Sequence, residues 1–257
     1  MTESEAALAA ALAGIGRLPG SRMQVDQDVT WLASGRPAVS LNHVYRVALR
    51  GDSAAIDARI DEVQAAVSDG GAMPVTWWIG PSTSPGDLAS RLRARGLTED
   101  EPEFGMVIEL DGLPPPVGEV AEVTQAELDE WLGVMGRSYR WSNPGAIAAW
   151  TELYRGALGE AARPWWHVLV RDRGIAVACA SLAAAGETGF VTNVGTEPEA
   201  RRAGHGTTAT LAALAIARRL GYRRATLTAS VMGRGVYARI GFREDAYLER
   251  FVSTGRG

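Results

Sequence analysis

The sequence predicts an α/β fold of the α+β type, in which a mixed, mostly antiparallel sheet is flanked by helices. Two observations in the second half of the chain support this prediction. Residues 165–194 contain three apolar runs, and short glycine-containing turns at 172–174 and 185–187 separate them, as in an antiparallel meander. A strand, a helix and a second strand then occupy 189–230. Because parallel strands need a long crossover, this order predicts one parallel pair.

The other elements follow from apolar periodicity and from helix end signals. In the second half we predict helices at 125–136, 145–161, 205–220 and 233–240, and strands at 165–171, 175–183, 189–195, 224–230 and 246–252. In the first half we predict helices at 3–14, 53–68 and 86–95, and strands at 43–50, 74–79 and 104–110.

A proline-rich segment divides the chain. Pro114, Pro115 and Pro116 stand in a row, and three consecutive prolines favour extended, semi-rigid backbone that cannot continue a helix or a central strand. We therefore expect one domain at 1–111, a linker at 112–117 and a second domain at 118–257.

Composition narrows the class of protein. The chain has 257 residues, 46% of them hydrophobic, which is enough to build the cores of two ordinary domains. A net charge of -4 gives no sign of a nucleic-acid or anionic-membrane surface. The only cysteine, Cys179, lies in an apolar run, so we expect a buried thiol in a reducing compartment.

The N-terminus lacks the basic residues of a signal peptide, and no apolar run reaches membrane-spanning length, so we expect a cytoplasmic protein. The three histidines have no metal-ligand spacing, and we expect no metal site.

The strongest functional signal lies in residues 191–209. An apolar strand leads to the sequence RRAGHG at 201–206, and a helix begins near Thr207. Gly204 and Gly206, one residue apart, let the backbone approach a ligand with no Cβ in the way. The helix directs its free N–H groups and positive dipole end at this loop. The glycine loop, the helix N-terminus and the arginine side chains together favour the binding of a pyrophosphate.

Two interpretations of this loop compete. Residues 204–209, GHGTTA, fit the letters of the dinucleotide fingerprint G-x-G-x-x-G/A. That fingerprint needs its glycines directly after a strand and an acidic residue about 20 positions further on. Here residues 196–203 separate the strand from Gly204, and position 224 is arginine. The dinucleotide interpretation is therefore the weaker one.

The loop resembles instead the R-x-x-G-x-G/A loop of the GNAT superfamily of N-acetyltransferases, with Arg201, Gly204 and Gly206 on the motif positions. A strand at 227–230 and a helix then follow. They are similar to the family's strand, helix and Y-x-x-x-G-F signature, which falls here on Gly233, Val236, Tyr237, Gly241 and Phe242. The resemblance covers about residues 118–252.

The resemblance implies an acetyl-CoA-dependent N-acetyltransferase that acts on a primary amine of a small molecule or peptide. By family position, Tyr237 is the general acid that protonates the departing thiolate. The implied cofactor-binding residues are Val194, Gly195, Thr196, Arg201, Arg202, Ala203, Gly204, His205, Gly206, Thr207 and Ser230. Ser230 departs from the family, because many relatives have asparagine there.

The acceptor site and the general base are less defined. Trp141, Tyr154 and Asn193 are candidates for contact with the acceptor, although aromatic residues at helical spacing are also typical of a core. Glu187, Asn193 and Glu244 are candidates for the base, and a chain of water molecules is the alternative.

The first half echoes the end of the second half. Residues 79–100 align with 227–245 when Gly96 is set on Gly241, and Leu92 then stands in place of Tyr237. No R-x-x-G-x-G sequence precedes it. We infer a degenerate GNAT-like half without a CoA loop, so that the chain holds two tandem GNAT-like domains. Two unrelated α/β domains with similar helix ends are the alternative.

Two other functions stay open. The first half, which lacks the CoA loop and the tyrosine, and the serine at position 230 are compatible with a non-catalytic acyl-CoA-binding or sensor module. An acyl donor longer than acetyl is also compatible with the sequence.

Overall fold

A computed structural model describes residues 1–158 and 163–253. The helices α1–α7 are Glu3–Ala13, Ser53–Ser68, Leu88–Ala94, Leu128–Ser138, Pro144–Leu158, His205–Arg219 and Arg234–Ile240. The strands β1–β11 are Arg22–Val25, Thr30–Ala33, Asn42–Tyr45, Val75–Ile79, Thr98–Glu109, Glu119–Glu122, Trp165–Asp172, Ile175–Ala185, Thr188–Thr196, Arg224–Ala229 and Arg243–Ser253. None of the helices in these two ranges has the length and apolarity that a membrane crossing requires.

All of these strands form one sheet in the order β1-β2-β3-β4-β11-β5-β10-β9-β8-β7-β6. Only the pairs β3–β4 and β9–β10 are parallel. The meander β7–β8–β9 and the crossover from β9 through α6 to β10 are both confirmed. The mixed, mostly antiparallel sheet of the sequence prediction is therefore correct.

The two halves exchange their last strands. β11, the last strand of the chain, lies between β4 and β5, and β5 lies between β11 and β10. Phe251 of β11 pairs with Trp77 of β4, while Phe104 of β5 pairs with Ala229 of β10. Each half therefore completes the sheet of the other half.

Helices cover both faces of this sheet. One face carries α1, α4 and α5, and their apolar residues form a core that joins the two halves. On the other face, α6 packs over the second half and α2 and α3 pack over the first. Trp77 and Phe251 are fully buried in the first-half core, although they lie in different halves of the chain.

The helix α1 crosses the joint between the halves. It begins with a capping box in which Thr2 Oγ1 accepts from Glu5 N at 3.2 Å and Glu5 Oε2 accepts from Thr2 N at 2.7 Å. Ser4 then lies against β5: a Cβ added to Gly105 would stand 2.6 Å from Ser4 Cβ. Glycine at 105 therefore permits the close approach of α1 to the exchanged strand.

The sequence prediction located every helix within a few residues but missed the short strands β1, β2 and β6. Each of the three has only four residues, too few for a clear alternation. β5 begins at Thr98, six residues before the predicted strand, because its charged first residues gain partners on β11. The predicted helix end at 161 lies outside the described residues.

The proline-rich segment connects β5 to β6, and the proposed division of the chain at 112–117 stays a prediction. The exchange adds that neither half holds a complete sheet without the other. Unfolding of the two halves should therefore be coupled.

We expect Phe251→Ala to lower the free energy of unfolding by about 3–5 kcal/mol, because the ring is fully buried. Urea unfolding followed by fluorescence and circular dichroism should show one transition, shifted as a whole. The control Tyr247→Ala, on the same strand but half exposed, should cost about 1 kcal/mol or less. Two separate transitions, with only one of them shifted, would contradict the exchange.

Candidate active site

The parallel strands β9 and β10 separate towards their carboxyl ends. Their pairing runs from Gly189 and Ala225 to Val191 and Leu227, yet β9 continues to Thr196. The adjoining pair β8–β9 is irregular at the same place, since its register shifts after Thr192. A V-shaped cleft therefore opens between β9 and β10, with backbone groups of both strands on its walls.

Asn193 sits in this irregularity with a φ of 54°. Its Nδ2 atom donates to Tyr154 Oη at 2.8 Å and to Ser181 Oγ at 3.1 Å. Ser181 Oγ in turn lies 2.7 Å from His167 Nδ1. This chain of buried polar groups fixes Asn193 and therefore the shape of the cleft edge.

The hydroxyl of Tyr154 anchors Asn193, but its ring belongs to the core. The residue is 2% exposed and packs edge-on against Trp131 and Trp165. The expectation that Tyr154 lines an acceptor pocket therefore needs correction, because burial leaves it no free surface. Trp141 is partly buried against the same core, near the end of α4.

The loop before α6 leaves open space at the positive end of the helix. Gly204 is the N-cap of α6 with φ 88°, and an added Cβ would meet nothing within 4 Å. The amides of His205, Gly206 and Thr207 are the first three of the helix, so helix geometry leaves them without intrahelical partners. The loop residues 201–204 are exposed. These amides and the positive helix end form a ready anion site.

The two arginines of the loop have different surroundings. Arg201 donates from Nε to Thr196 O at 3.2 Å and from Nη2 to Ser138 O at 3.2 Å. Its guanidinium therefore ties the loop to the ends of β9 and α4. Arg202, with φ 67°, is exposed, and Ala203 continues the exposed turn. The direct charge beside a phosphate would come from Arg202.

Tyr237 lies on α7, partly buried, with its ring edge-on to Phe242 at 5.9 Å between centroids. Burial, followed by the carboxylate of Glu103, raises the pKa of Tyr237 to about 12. The hydroxyl therefore keeps its proton at neutral pH, as a general acid must. Ser230 precedes α7, and its Oγ accepts from Gly233 N at 3.2 Å, so this hydroxyl shapes the turn that positions the helix.

Two residues of the cleft were not found by sequence reasoning. Tyr139, at the end of α4, donates its hydroxyl to Val194 O at 3.1 Å. Desolvation of this hydroxyl and then the neighbouring Tyr237 raise the pKa of Tyr139, although about half of the residue's surface, 50%, is exposed. Glu103 is on the exchanged strand β5, one position beyond its last pair with β10, and its charge acts on Tyr237. Only the strand order reveals it, because 134 positions separate it from Tyr237.

The other base candidates lie elsewhere or are engaged. Glu187 occupies the turn before β9, at the closed end of the cleft. Glu244 forms an ion pair with Arg234, in which Oε2 accepts from Nη2 at 2.9 Å. The Nδ2 atom of Asn193 donates two hydrogen bonds, one to the buried hydroxyl of Tyr154 and one to that of Ser181. None of the three is a free basic group facing the cleft.

Comparison with known proteins identifies this arrangement. Residues 123–242 match the family model for the acetyltransferase (GNAT) family. This segment, a little under half of the chain, is a GNAT domain. No curated protein sequence matches the chain.

Solved structures share the fold over the whole chain. A GCN5-related N-acetyltransferase from Kribbella flavida is 21% identical with a TM-score of 0.76, covering 100% of this chain and 97% of its own. A GCN5-related N-acetyltransferase from Sphaerobacter thermophilus is 14% identical with a TM-score of 0.65, covering 99% and 94%. A tandem GNAT protein from the clavulanic acid biosynthesis pathway is 14% identical with a TM-score of 0.62, and the match covers 99% of this chain and 94% of that protein. The chain therefore has the tandem GNAT fold.

The first GNAT half repeats the helix end of the second. Leu97 N donates to Leu92 O at 3.1 Å, and Phe242 N donates to Tyr237 O at the same distance. Gly96 and Gly241 both have positive φ at these ends. The two helix ends match as the alignment predicts, and Leu92, which is fully buried, stands at the position of Tyr237.

The first GNAT half also lacks an open cleft. Its parallel pair β3–β4 corresponds to β9–β10, with α2 in place of α6. Beyond this pair, Ser84 bonds back to the facing segment: its N donates to Val47 O at 3.0 Å, and its O accepts from Leu49 N at 3.0 Å. The chain's own backbone thus fills the position of the cleft.

The start of α2 carries a carboxylate where the second half has its glycine loop. Asp52 is the N-cap of α2, and its Oδ1 accepts from Ala55 N at 2.9 Å. The positive helix end is therefore already satisfied by an anion. A pyrophosphate at this place would meet a like charge.

The buried histidines predict how stability depends on pH. Burial lowers the pKa of His167 to about 3 and that of His43 to about 4, from an ordinary 6.5. As pH falls from 6.5 towards 4, the unfolded chain binds protons that the folded chain does not. The free energy of unfolding should therefore fall by up to about 1.4 kcal/mol per pH unit for each histidine.

Urea titrations at several pH values should measure how steeply the free energy of unfolding falls as pH falls. His167→Gln should reduce this slope by the contribution of one histidine. An identical slope in the variant would show that His167 is protonated in the folded protein.

Proposed function

We propose that the protein is an acetyl-CoA-dependent N-acetyltransferase that acts on a primary amine of a small molecule or peptide. One observation supports this proposal: the cleft between β9 and β10 opens beside the Gly204 N-cap of α6, and Tyr237 lies on α7, the helix that follows β10. Family membership supports acetyl transfer in general, and the geometry supports one centre per chain.

The residues present fit CoA. The amides of residues 204–207 and the side chain of Arg202 would hold the pyrophosphate. The β9–β10 pairing ends at Val191, so the segment of β9 between Val194 and Thr196 has no strand partner on its β10 side. The pantetheine arm, which is rich in amides, would pair there as a peptide adds to a sheet edge. When bound, acetyl-CoA supplies an activated acetyl group as a thioester.

Tyr237 would serve as the general acid. Its proton is retained at neutral pH, because burial and Glu103 raise its pKa to about 12. A tyrosine of this kind donates its proton only as negative charge develops on the departing sulfur. The backbone N–H groups of β9 would polarise the thioester carbonyl, a contribution of about 3–4 kcal/mol per donor in other acyl-transfer enzymes.

The test is a panel of amines with acetyl-CoA, followed by release of free thiol. Turnover of one or more amines supports the proposal. Absence of turnover together with absence of CoA binding would end it.

A second candidate is a non-catalytic acyl-CoA-binding module. The observation in its favour is that Glu187 lies at the closed end of the cleft, while Asn193 and Glu244 are engaged in other contacts, so none of these three described candidates is available as a base. Tight binding of CoA without turnover of any amine would select this candidate. Turnover with propionyl-CoA or succinyl-CoA but not acetyl-CoA would select the longer acyl donor.

Gly204→Val should weaken CoA binding by several-fold or more, because valine rarely adopts a φ of 88° and its side chain would fill the anion site. Calorimetric titration with CoA measures the effect. Gly221→Val is the matched control, since Gly221 has φ 90° and equally open surroundings at the far end of α6. Both variants should lose similar stability, and equal CoA affinities would put the pyrophosphate elsewhere.

Tyr237→Phe should lower kcat by about 10²–10⁴ and leave the affinity for acetyl-CoA nearly constant, because the hydroxyl acts in the transition state. Steady-state kinetics with the best amine of the panel provides the measurement. Tyr222→Phe, on the same face of the sheet, is the control and should retain activity. Near-full kcat for Tyr237→Phe would assign the acid to another group, for which Tyr139→Phe is the next variant.

A further inference from the structure

The exchanged strand brings a carboxylate of the first half to the cleft of the second half. Phe104 of β5 pairs with Ala229, the last residue of β10, so Glu103 stands one position beyond the end of that strand. Arg234 of α7 packs its guanidinium over the Phe104 ring at 4.4 Å. Tyr237 follows one helical turn after Arg234. This geometry places Glu103 at the open end of the cleft.

Glu103 lies on the face of the sheet from which Tyr139 enters. Along β5 the side chains alternate: Met106 packs with α6, whereas Gly105 faces Ser4 of α1. Glu103 shares the face of Gly105, and α4 covers this same face. The carboxylate acts electrostatically on both cleft tyrosines, Tyr237 and Tyr139.

The carboxylate is held in place but is still accessible. Glu103 Oε1 accepts from Arg250 Nη1 at 2.8 Å, and the Glu103 side chain is 19% exposed. Within residues 1–158 and 163–253, no hydrogen bond uses its second oxygen, Oε2. Arg250 also binds Asp100 and stacks over Trp78 at 5.6 Å. Two carboxylates share one guanidinium, so the group keeps a net negative charge.

We propose that Glu103 binds the protonated amine of the acceptor, so that the active centre is built from both halves of the chain. A carboxylate with one free oxygen beside two protonated tyrosines attracts a cation and rejects an anion. This inference rests on the proposed function and narrows its substrate class to acceptors that arrive as ammonium ions. Because Glu103 belongs to the first half, this half would take part in the reaction although it has no CoA loop of its own.

The proton balance of the transfer is complete with these groups. The ammonium gives one proton to Glu103, and the neutral nitrogen attacks the thioester carbonyl carbon. The carbon–sulfur bond breaks, and the sulfur takes the proton of Tyr237. The new amide nitrogen loses its second proton to the tyrosinate, and Glu103 releases its proton to water.

Glu103→Gln tests the proposal, because glutamine keeps the shape and loses the charge. Glu109→Gln is the matched control: Glu109 is on the same strand, is exposed, and pairs with Arg224 at the closed end of the cleft. The probes are the amine that the wild-type chain acetylates fastest and the alcohol with the same carbon skeleton. Calorimetry with CoA-saturated protein measures binding without turnover, and steady-state kinetics measures KM and kcat.

We expect Glu103→Gln to bind the amine about 10- to 100-fold more weakly, the range for loss of a charge-assisted hydrogen bond. The amine KM should rise with it, while the affinities for CoA and for the alcohol and the Tm stay as in the wild type. Glu109→Gln should behave as the wild type.

Equal amine affinity in Glu103→Gln and the wild type would overturn this inference and leave the proposed function intact. Equal affinity of the wild type for amine and alcohol would also overturn it. A wild-type chain that acetylates no amine would end the proposed function and this inference with it.

Discussion

The exchange of last strands is the constraint on which the rest of the structure depends. β11 and β5 lie side by side at the centre of the sheet, and each one extends the sheet of the other half. The hydrophobic core also depends on the exchange, because Phe251 from the end of the chain is buried with Trp77 of the first half. The first half is therefore needed to complete the sheet of the second half, whatever its own ligands. Without it, the strand β10 that borders the cleft would have a bare edge.

The two clefts differ because the same architecture carries different local chemistry. In the second half, the β9–β10 pairing ends at Val191 and Leu227, and the Asn193 amide, bonded to the buried hydroxyls of Tyr154 and Ser181, holds the edge of β9 apart from β10. In the first half, backbone bonds to Ser84 close the corresponding space, and Asp52 neutralises the helix end. The proposed CoA site needs both an open strand pair and a free helix N-terminus, and within residues 1–158 and 163–253 the second half combines the two.

Sequence reasoning succeeded where the signal is local. The glycine loop before α6, the crossover to β10 and the repeated helix ends at Gly96 and Gly241 are all encoded within short stretches, and the structure confirms them. It failed where the determinant is distant in the chain. The strand exchange depends on which edges meet after folding, so no pattern around 98–109 or 243–253 reveals it. The role of Glu103 could not be predicted for the same reason. Tyr154 was expected in an acceptor pocket because helical spacing does not distinguish a core face from a cleft wall, whereas the residue is buried.

The most direct test of this account is a crystal structure of the protein with acetyl-CoA. We expect one cofactor per chain, with its pyrophosphate on the amides of residues 204–207 and its thioester beside Tyr237. The carboxylate of Glu103 should face the acetyl group from the exchanged strand. A cofactor bound between β3 and β4 of the first half, or a thioester that lies away from both Tyr237 and Glu103, would contradict the account.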